Sequence, residues 1–183
     1  MSLNGKTAVV VGASGQHNFG VATARRLAEH GATVVVSGRR EAPLKALAEE
    51  INGVAITCDM NDEHSIAALF AEAKAATGRV DIAVNSAGSL AAAPIAALTR
   101  EQIQPTLDVS FIGALLLFRY AAEAMTEGGS VITISSLTAR LPGPALAVYS
   151  AARAGIDYGV RVAALEYGPQ KVRFNSIAAG LIQ

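Results

Sequence analysis

Short apolar runs alternate with longer, alanine-rich segments along this chain, and the alternation predicts strands separated by helices. The runs are rich in β-branched residues, and nearly every position in them is apolar, which is typical of strands buried on both faces. They predict six strands, at residues 7–11, 33–37, 54–57, 81–85, 130–135 and 171–177.

Helices are predicted between these strands. The first passes through residues 25–29 and stops near Gly31, and the others lie at about 41–51, 61–77, 100–125 and from before Tyr149 to about 168. Pro105 is expected near the first turns of the long helix, where a missing N–H is tolerated best. Strands and helices in alternation indicate a single α/β domain over residues 1–183. Its sheet is expected to be parallel and doubly wound, with helices on both faces.

Charge and hydropathy exclude two classes of partner. Lysine plus arginine equal aspartate plus glutamate at 15 each, so nothing favours a nucleic acid or an anionic membrane electrostatically. The longest apolar stretches, such as residues 112–118, are too short to span a bilayer. We therefore expect neither a nucleic-acid nor a membrane partner.

The single cysteine, Cys58, excludes an internal disulfide and suits a reducing cytoplasm. The chain enters its first strand without a basic segment followed by an apolar one, so no signal peptide is expected. The three histidines are scattered without ligand-like spacing, and no metal site is expected.

A glycine-rich turn follows the first predicted strand and opens the first helix. Glycines permit a tight turn and let backbone amides approach a pyrophosphate, which the helix N-terminus favours electrostatically. The alternative is a turn before a helix with no ligand. The candidate cofactor contacts here are Gly12, Ser14, Gly15, Asn18, Phe19 and Gly20.

The end of the second strand discriminates between dinucleotides. An NAD-binding fold commonly places a carboxylate there to hold the ribose 2′-hydroxyl, but this chain has Arg39 and Arg40. A guanidinium suits a 2′-phosphate, so NADP(H) is favoured and NAD(H) stays possible. Alternatively, both arginines only solvate the start of a helix.

The third and fourth strands also end in candidate contacts. Asp59, followed by Met60, is placed either to accept from the adenine amino group or to serve in a helix N-cap region. Asn85, Ala87 and Gly88 follow the fourth strand, where small residues let the backbone approach a cofactor.

Tyr149 and Arg153 are separated by four residues on one predicted helix and therefore share a face. Ser136 ends the preceding strand and is expected to meet the phenol. A cation beside a tyrosine favours the phenolate, and a serine hydroxyl stabilises charge developing on a substrate oxygen. The three side chains predict an acid–base site. The alternative is that the pair only packs and makes surface contacts.

These residues together resemble the short-chain dehydrogenase/reductase family, in the family's order and over essentially the whole chain. The resemblance rests on Gly12 to Gly20, Asp59, residues 85–88, Ser136, residues 149–153 and residues 175–180. It implies a Rossmann-type domain that moves a hydride between a nicotinamide and a small carbonyl or alcohol substrate. Tyr149 is then the acid or base, and Ser136 orients the substrate oxygen. The cofactor contacts then also include Tyr149, Arg153, Gly180 and Ile182.

The chain departs from the family pattern at several positions. The glycine loop carries two extra residues within 16–19, Ser86 replaces an asparagine, and Ala179 replaces a proline. Ser110 stands for the asparagine of the long helix, and Arg153 for the lysine. In the family that lysine holds the nicotinamide ribose and, with the asparagine, supports a proton path to solvent. We therefore expect hydride transfer to be kept and proton exchange to be altered.

Two other functions stay open at this point. One is a dinucleotide-binding protein that has lost turnover, which Ser110, Arg153 and Ala179 favour; the other is a lyase or epimerase on the same scaffold. Family members commonly form homodimers or homotetramers through the helices that here hold residues 114–125 and 152–165. They also continue through a substrate-covering segment and a last strand, so a chain ending at Gln183 is expected to be truncated.

Overall fold

Six parallel strands form one sheet in the computed structural model, which describes residues 2–15 and 18–180. The strands are β1 (Thr7–Val11), β2 (Thr33–Gly38), β3 (Val54–Thr57), β4 (Ile82–Asn85), β5 (Gly129–Ser136) and β6 (Val172–Ala179). Their order across the sheet is β3-β2-β1-β4-β5-β6, and every neighbouring pair is parallel. The direction of winding reverses between β1 and β4, which makes their carboxyl ends the expected ligand site.

Helices cover both faces of this sheet. They are α1 (Phe19–Glu29), α2 (Glu41–Glu50), α3 (Glu63–Thr77), α4 (Arg100–Leu107), α5 (Gly113–Ala124) and α6 (Ala147–Tyr167). Val10 packs in the core beneath α1 and α2, whereas its neighbour Val9 packs in the core beneath α3, α5 and α6. Successive residues of a strand point into the cores on opposite faces of the sheet, so each of them must be apolar. This explains why the strands appear in the sequence as continuous apolar runs. The predicted Rossmann-type fold is confirmed.

The long helix predicted at 100–125 is interrupted, which corrects that prediction. Between α4 and α5 the chain makes a π-helical turn at Asp108–Ile112, where the N–H of Gly113 donates to the carbonyl of Asp108, five residues back. Pro105 lies in the second turn of α4 and lacks the N–H that would continue a regular ladder there. The turn leaves Ser110 fully buried. Within the described residues, no helix is both long and apolar enough to cross a membrane.

A charged cluster ties the amino ends of the central strands β1 and β4 together, at the end of the sheet opposite the expected ligand site. Asp81 is buried and accepts hydrogen bonds from the Arg79 guanidinium at 2.6 and 2.7 Å, from the Thr7 amide and from Lys6 Nζ, each at 2.9 Å. Burial alone would raise the pKa of this carboxyl, but the hydrogen bonds from Arg79, Thr7 and Lys6 outweigh it and lower the pKa to about 2.

Asp81→Asn is expected to lower the free energy of unfolding by about 2 kcal/mol at pH 7, because the neutral amide loses the interactions that depress the pKa. A carboxyl with a depressed folded pKa stabilises the protein above pH ~4, its unfolded value, and this contribution is lost as the pH falls towards about 2. Urea denaturation of both proteins from pH 7 to pH 2 measures it. The difference should shrink below pH 4, whereas Glu29→Gln, which breaks an exposed ion pair to Arg26, should have far less effect.

Candidate active site

A cleft of about 640 Å³ opens at the carboxyl ends of β1 and β4. It lies where the winding of the sheet reverses, as expected for a ligand site of this fold. Most of the predicted cofactor residues line it. These are Gly12, Ser14, Gly15, Asn18, Arg39, Arg40, Asp59, Met60, Ala87 and Gly88.

The floor of the cleft is a close contact between backbone segments, with only the Ser86 hydroxyl between them. Gly12 has a φ of 87°, and a Cβ on it would lie 2.7 Å from the amide nitrogen of Ala87. A Cβ on Gly20 would lie 2.6 Å from the carbonyl oxygen of Gly12. The hydroxyl of Ser86 fills the remaining gap and donates to the carbonyl of Val11 at 2.7 Å. Only glycine fits at both positions, so β1, α1 and the segment after β4 approach closely.

Asn18 fixes the start of α1 beside this turn. Its Oδ1 accepts from the Val21 amide at 2.9 Å as the N-cap, and its Nδ2 donates to the Gly12 carbonyl at 2.8 Å. Phe19 is the first residue of the helix and is partly exposed. The turn thereby aims the N-terminus of α1 at the cleft, and such a terminus attracts phosphate. Residues 16 and 17 of the lengthened loop lie outside the described residues.

The two arginines after β2 occupy different positions at the cleft. Both side chains are exposed; Arg40 donates to the carbonyl of Ser14 and holds the glycine turn, and Arg39 lies at the rim of the cleft. A Cβ at Gly38, just before them, would lie 2.8 Å from the hydroxyl oxygen of Ser14. A carboxylate at the end of β2 therefore has no room unless Ser14 moves.

Asp59 lines the cleft after β3. Its Oδ1 accepts from the amide of Asn61 at 3.0 Å and from the side chain of Asn61 at 2.9 Å. The N-cap of α3 is Asp62, which accepts from the His64 amide. Asp59 is therefore not the N-cap of α3. Among the described residues its Oδ2 has no hydrogen-bond donor, so this oxygen can accept from a ligand.

Ser136 is the last residue of β5, and Tyr149 is the third residue of α6. The Ser136 hydroxyl oxygen accepts from the amide of Thr138 at 3.2 Å and from its hydroxyl at 2.9 Å. With both lone pairs occupied, the hydroxyl hydrogen of Ser136 can be donated to another group. Within the described residues no hydrogen bond joins Ser136 to Tyr149, and their predicted meeting stays a prediction.

Arg153 lies one turn after Tyr149, and its guanidinium carbon is 5.1 Å from the centre of the tyrosine ring. The residue is only 5% exposed. Its Nη1 donates to the carbonyl of Ile134 at 3.1 Å, and its Nη2 donates to the carbonyl of Ala87 at 3.4 Å. The guanidinium thus lies between the ends of β4 and β5, next to residues that line the cleft.

Ser110, the other departure from the family pattern, makes both of its hydrogen bonds with the backbone of Ser89. It accepts from the Ser89 amide at 3.0 Å and donates to the Ser89 carbonyl at 3.2 Å. Its hydroxyl thereby fixes the segment that leaves β4 along the cleft.

Three further predicted contacts are not among the described residues that line the cleft. Asn85 is buried at the end of β4, where its Oδ1 accepts from the Ala87 amide at 3.0 Å. A Cβ on Gly180, the last described residue, would lie 3.2 Å from Leu137. Ile182 lies outside the described residues. Residues 2–15 and 18–180 contain no cluster of side chains able to hold a metal ion.

Sequence reasoning missed several residues of the cleft wall. Asn61 lies two residues after Asp59, which was recognised, and this short distance from a strand-end motif is the signal that could have found it. Pro105 and Val109 line the cleft because the chain turns at the end of α4, which the helical pattern did not predict.

Comparison with known proteins finds oxidoreductases. A family model described as enoyl-(acyl carrier protein) reductase matches residues 12–183. A short chain dehydrogenase/reductase of Aspergillus oryzae is 35% identical over 189 residues, which cover 98% of this chain and 72% of that protein. Versicolorin reductase 1 of Aspergillus parasiticus is 36% identical over 188 residues, which cover 99% of this chain and 71% of that protein. A solved dehydrogenase/reductase from Sinorhizobium meliloti superposes with a TM-score of 0.92 at 34% identity, covering 98% of this chain and 73% of that one.

Gly12→Ala is expected to destabilise the protein by about 3 kcal/mol, because a left-handed φ and overlap with the Ala87 amide add together. Gly78→Ala is the matched control, since Gly78 has a φ of 79° but open space around its Cβ position. It should cost only about 1 kcal/mol. Urea denaturation measures both, and equal losses would show that close packing at Gly12 is unimportant.

Proposed function

The chain belongs to the short-chain dehydrogenase/reductase family of oxidoreductases, and we propose that it is an NADP(H)-dependent member acting on a small carbonyl or alcohol. The observation that supports this most is the cleft above Gly12. Its wall at residues 87–89 is hydrogen-bonded to Ser110 and to Arg153, and Arg153 lies beside Tyr149. A dinucleotide site and an acid–base pair thereby adjoin one another.

The residues of the cleft fit a dinucleotide phosphate. The turn at Gly12 and the N-terminus of α1 suit the pyrophosphate, since positions 12, 15 and 20 carry no side chain of their own and Asn18 directs the helix start at the cleft. Arg39 and Arg40 suit a ribose 2′-phosphate, and Gly38 takes the place of the carboxylate that would select a free hydroxyl; a side chain there would require Ser14 to move. Asp59 suits the adenine amino group. A bound nicotinamide supplies the hydride in reduction and accepts it in oxidation.

Three side chains contribute to proton transfer at the substrate oxygen. Tyr149 gives its phenolic proton to the carbonyl oxygen in reduction and takes the hydroxyl proton in oxidation. Ser136 donates its hydroxyl hydrogen to the same oxygen, because Thr138 already occupies its lone pairs. Arg153, at 5.1 Å from the tyrosine ring, places a permanent positive charge where the phenolate develops.

A second candidate is a dinucleotide-binding protein without turnover. It is favoured because the Arg153 guanidinium and the Ser110 hydroxyl are engaged by backbone groups. In the resembled family the corresponding lysine and asparagine serve the proton path instead. Fluorescence titration with NADPH, beside a turnover assay on ketones and aldehydes, separates binding with turnover from binding alone.

Tyr149→Phe is expected to reduce kcat for NADPH oxidation by at least a hundredfold, since general acid catalysis contributes on the order of 10²–10⁴. NADPH affinity should change less than about threefold, because only the proton donor is removed. Tyr158→Phe, on an exposed tyrosine of the same helix, is the matched control and should retain full activity. Undiminished turnover in Tyr149→Phe would exclude this mechanism.

Arg39→Gln is expected to weaken NADPH binding about tenfold, because a charge-assisted hydrogen bond to phosphate is lost. NADH binding should be unaffected, since NADH has no 2′-phosphate. Arg161→Gln, on exposed α6, controls for the change in net charge. Titration of all three proteins with both cofactors measures the effect, and equal weakening of NADH would contradict the assignment.

Assembly and location stay predictions. A homodimer or homotetramer is favoured by Leu115, Tyr158, Val162 and Leu165, which are exposed on α5 and α6; the first three line a groove of about 310 Å³. Sedimentation equilibrium distinguishes these states from a monomer. Cell fractionation tests the cytoplasmic location.

A further inference from the structure

The guanidinium of Arg153 is engaged by the protein backbone at both of its terminal nitrogens. Nη1 and Nη2 donate to Ile134 and Ala87, and Nε is buried without a partner in the described part of the chain. We propose that Arg153 is a positioning residue that clamps the end of β4 to the end of β5, and that Gly88 is the residue that makes room for it. The proposal rests on the function proposed above and assigns Arg153 a role other than holding the cofactor ribose.

The clamp joins the two segments that carry the chemistry. Ala87 lies two residues after the end of β4 and lines the cleft. Ile134 lies two residues before Ser136 on β5. A planar fork with several donors can hold two carbonyl oxygens at once, which a single ammonium group does less well. Arg153 thereby fixes the distance between the cleft wall and the serine that is proposed to bind the substrate oxygen.

Space for the fork exists because position 88 has no side chain. A Cβ there would lie 2.1 Å from Nη2 of Arg153 and 3.3 Å from its Cζ. It would also lie 3.8 Å from the Ser110 hydroxyl oxygen, which is an ordinary contact. The clash is therefore confined to the branched end of the arginine.

Lysine provides the decisive comparison. Its Nζ is five bonds from Cα, as is the Cζ of arginine, and it carries no atom in the place of Nη2. A lysine in the same path would end about where Cζ lies, so the Cβ of an alanine at 88 would nearly fit beside it. Gly88→Ala should consequently be damaging next to Arg153 and tolerated next to lysine. A role for Gly88 that is independent of Arg153 predicts equal damage in both backgrounds.

A double-mutant cycle tests the clamp by thermal unfolding, which requires no enzymatic activity. Gly88→Ala is expected to lower Tm by on the order of 5 °C in the Arg153 protein and by less than about 2 °C in Arg153→Lys. Gly168→Ala, at a glycine with open space and a φ of −53°, is the matched control and should be additive with Arg153→Lys. Equal Tm losses for Gly88→Ala in the two backgrounds overturn the proposal.

Cofactor titration and kinetics separate positioning from ligand binding. Arg153→Lys should lower kcat by about tenfold or more, because the clamp orients Ser136. The Kd for NADPH should change less than about threefold, because the clamp does not touch the cofactor. Gly88→Ala should lower kcat in the Arg153 protein and leave the kcat of Arg153→Lys nearly unchanged, which would support the same conclusion. A tenfold or larger change in Kd with kcat unchanged would make Arg153 a cofactor ligand and overturn the proposal.

The same measurements distinguish failure of the clamp from failure of the proposed function. If the wild-type protein neither binds NADPH nor turns over carbonyl substrates, the proposed function is wrong. The unfolding cycle then still decides whether Arg153 and Gly88 are coupled: coupling supports the clamp as a structural tie, and additivity overturns it.

Discussion

The structure depends on one close approach, in which the turn after β1 lies directly against the segment after β4. Gly12 and Gly20 leave no side chain between these backbones, and Ser86 closes the contact with a hydrogen bond to Val11. Because the two strands flank the point where the winding reverses, the cleft opens directly above this contact. Side chains at the two glycine positions would push the strands' loops apart and fill the place where a phosphate fits.

The position of the acid–base residues follows from the same arrangement. Hydrogen bonds hold the segment after β4 in place. The Ser86 hydroxyl donates to a carbonyl of β1. Ser110 accepts from the Ser89 amide, and Arg153 donates to the Ala87 carbonyl. Residues 86–89 thus line the cleft and also contact Arg153, which lies one turn after Tyr149. Three of these four residues are held by hydrogen bonds to other parts of the chain.

Much of this architecture could be predicted from the sequence, because strands buried on both faces of a sheet appear as continuous apolar runs. The β-branched runs placed the cores of all six strands, and the residues after strand ends placed most of the cleft. The break in the long helix could not be predicted, since Asp108–Ile112 is compatible with a regular helix and the π turn depends on packing around it. The backbone contacts of Arg153 were equally hidden, because its i, i+4 spacing fixes which face it occupies but not which carbonyls it meets. The Asp81 cluster was missed because Lys6 and Arg79 become its partners only in the folded sheet.

Asp81 lies at the amino edge of the sheet, whereas every group proposed to take part in the chemistry lies at or beyond the carboxyl edge. The charge network that ties β1 to β4 is therefore spatially separate from the loops that would contact a substrate. A substitution in a loop at the carboxyl ends of the strands therefore leaves the hydrogen bonds of Asp81 in place. The tie between β1 and β4 and the lining of the cleft can accordingly be altered one without the other.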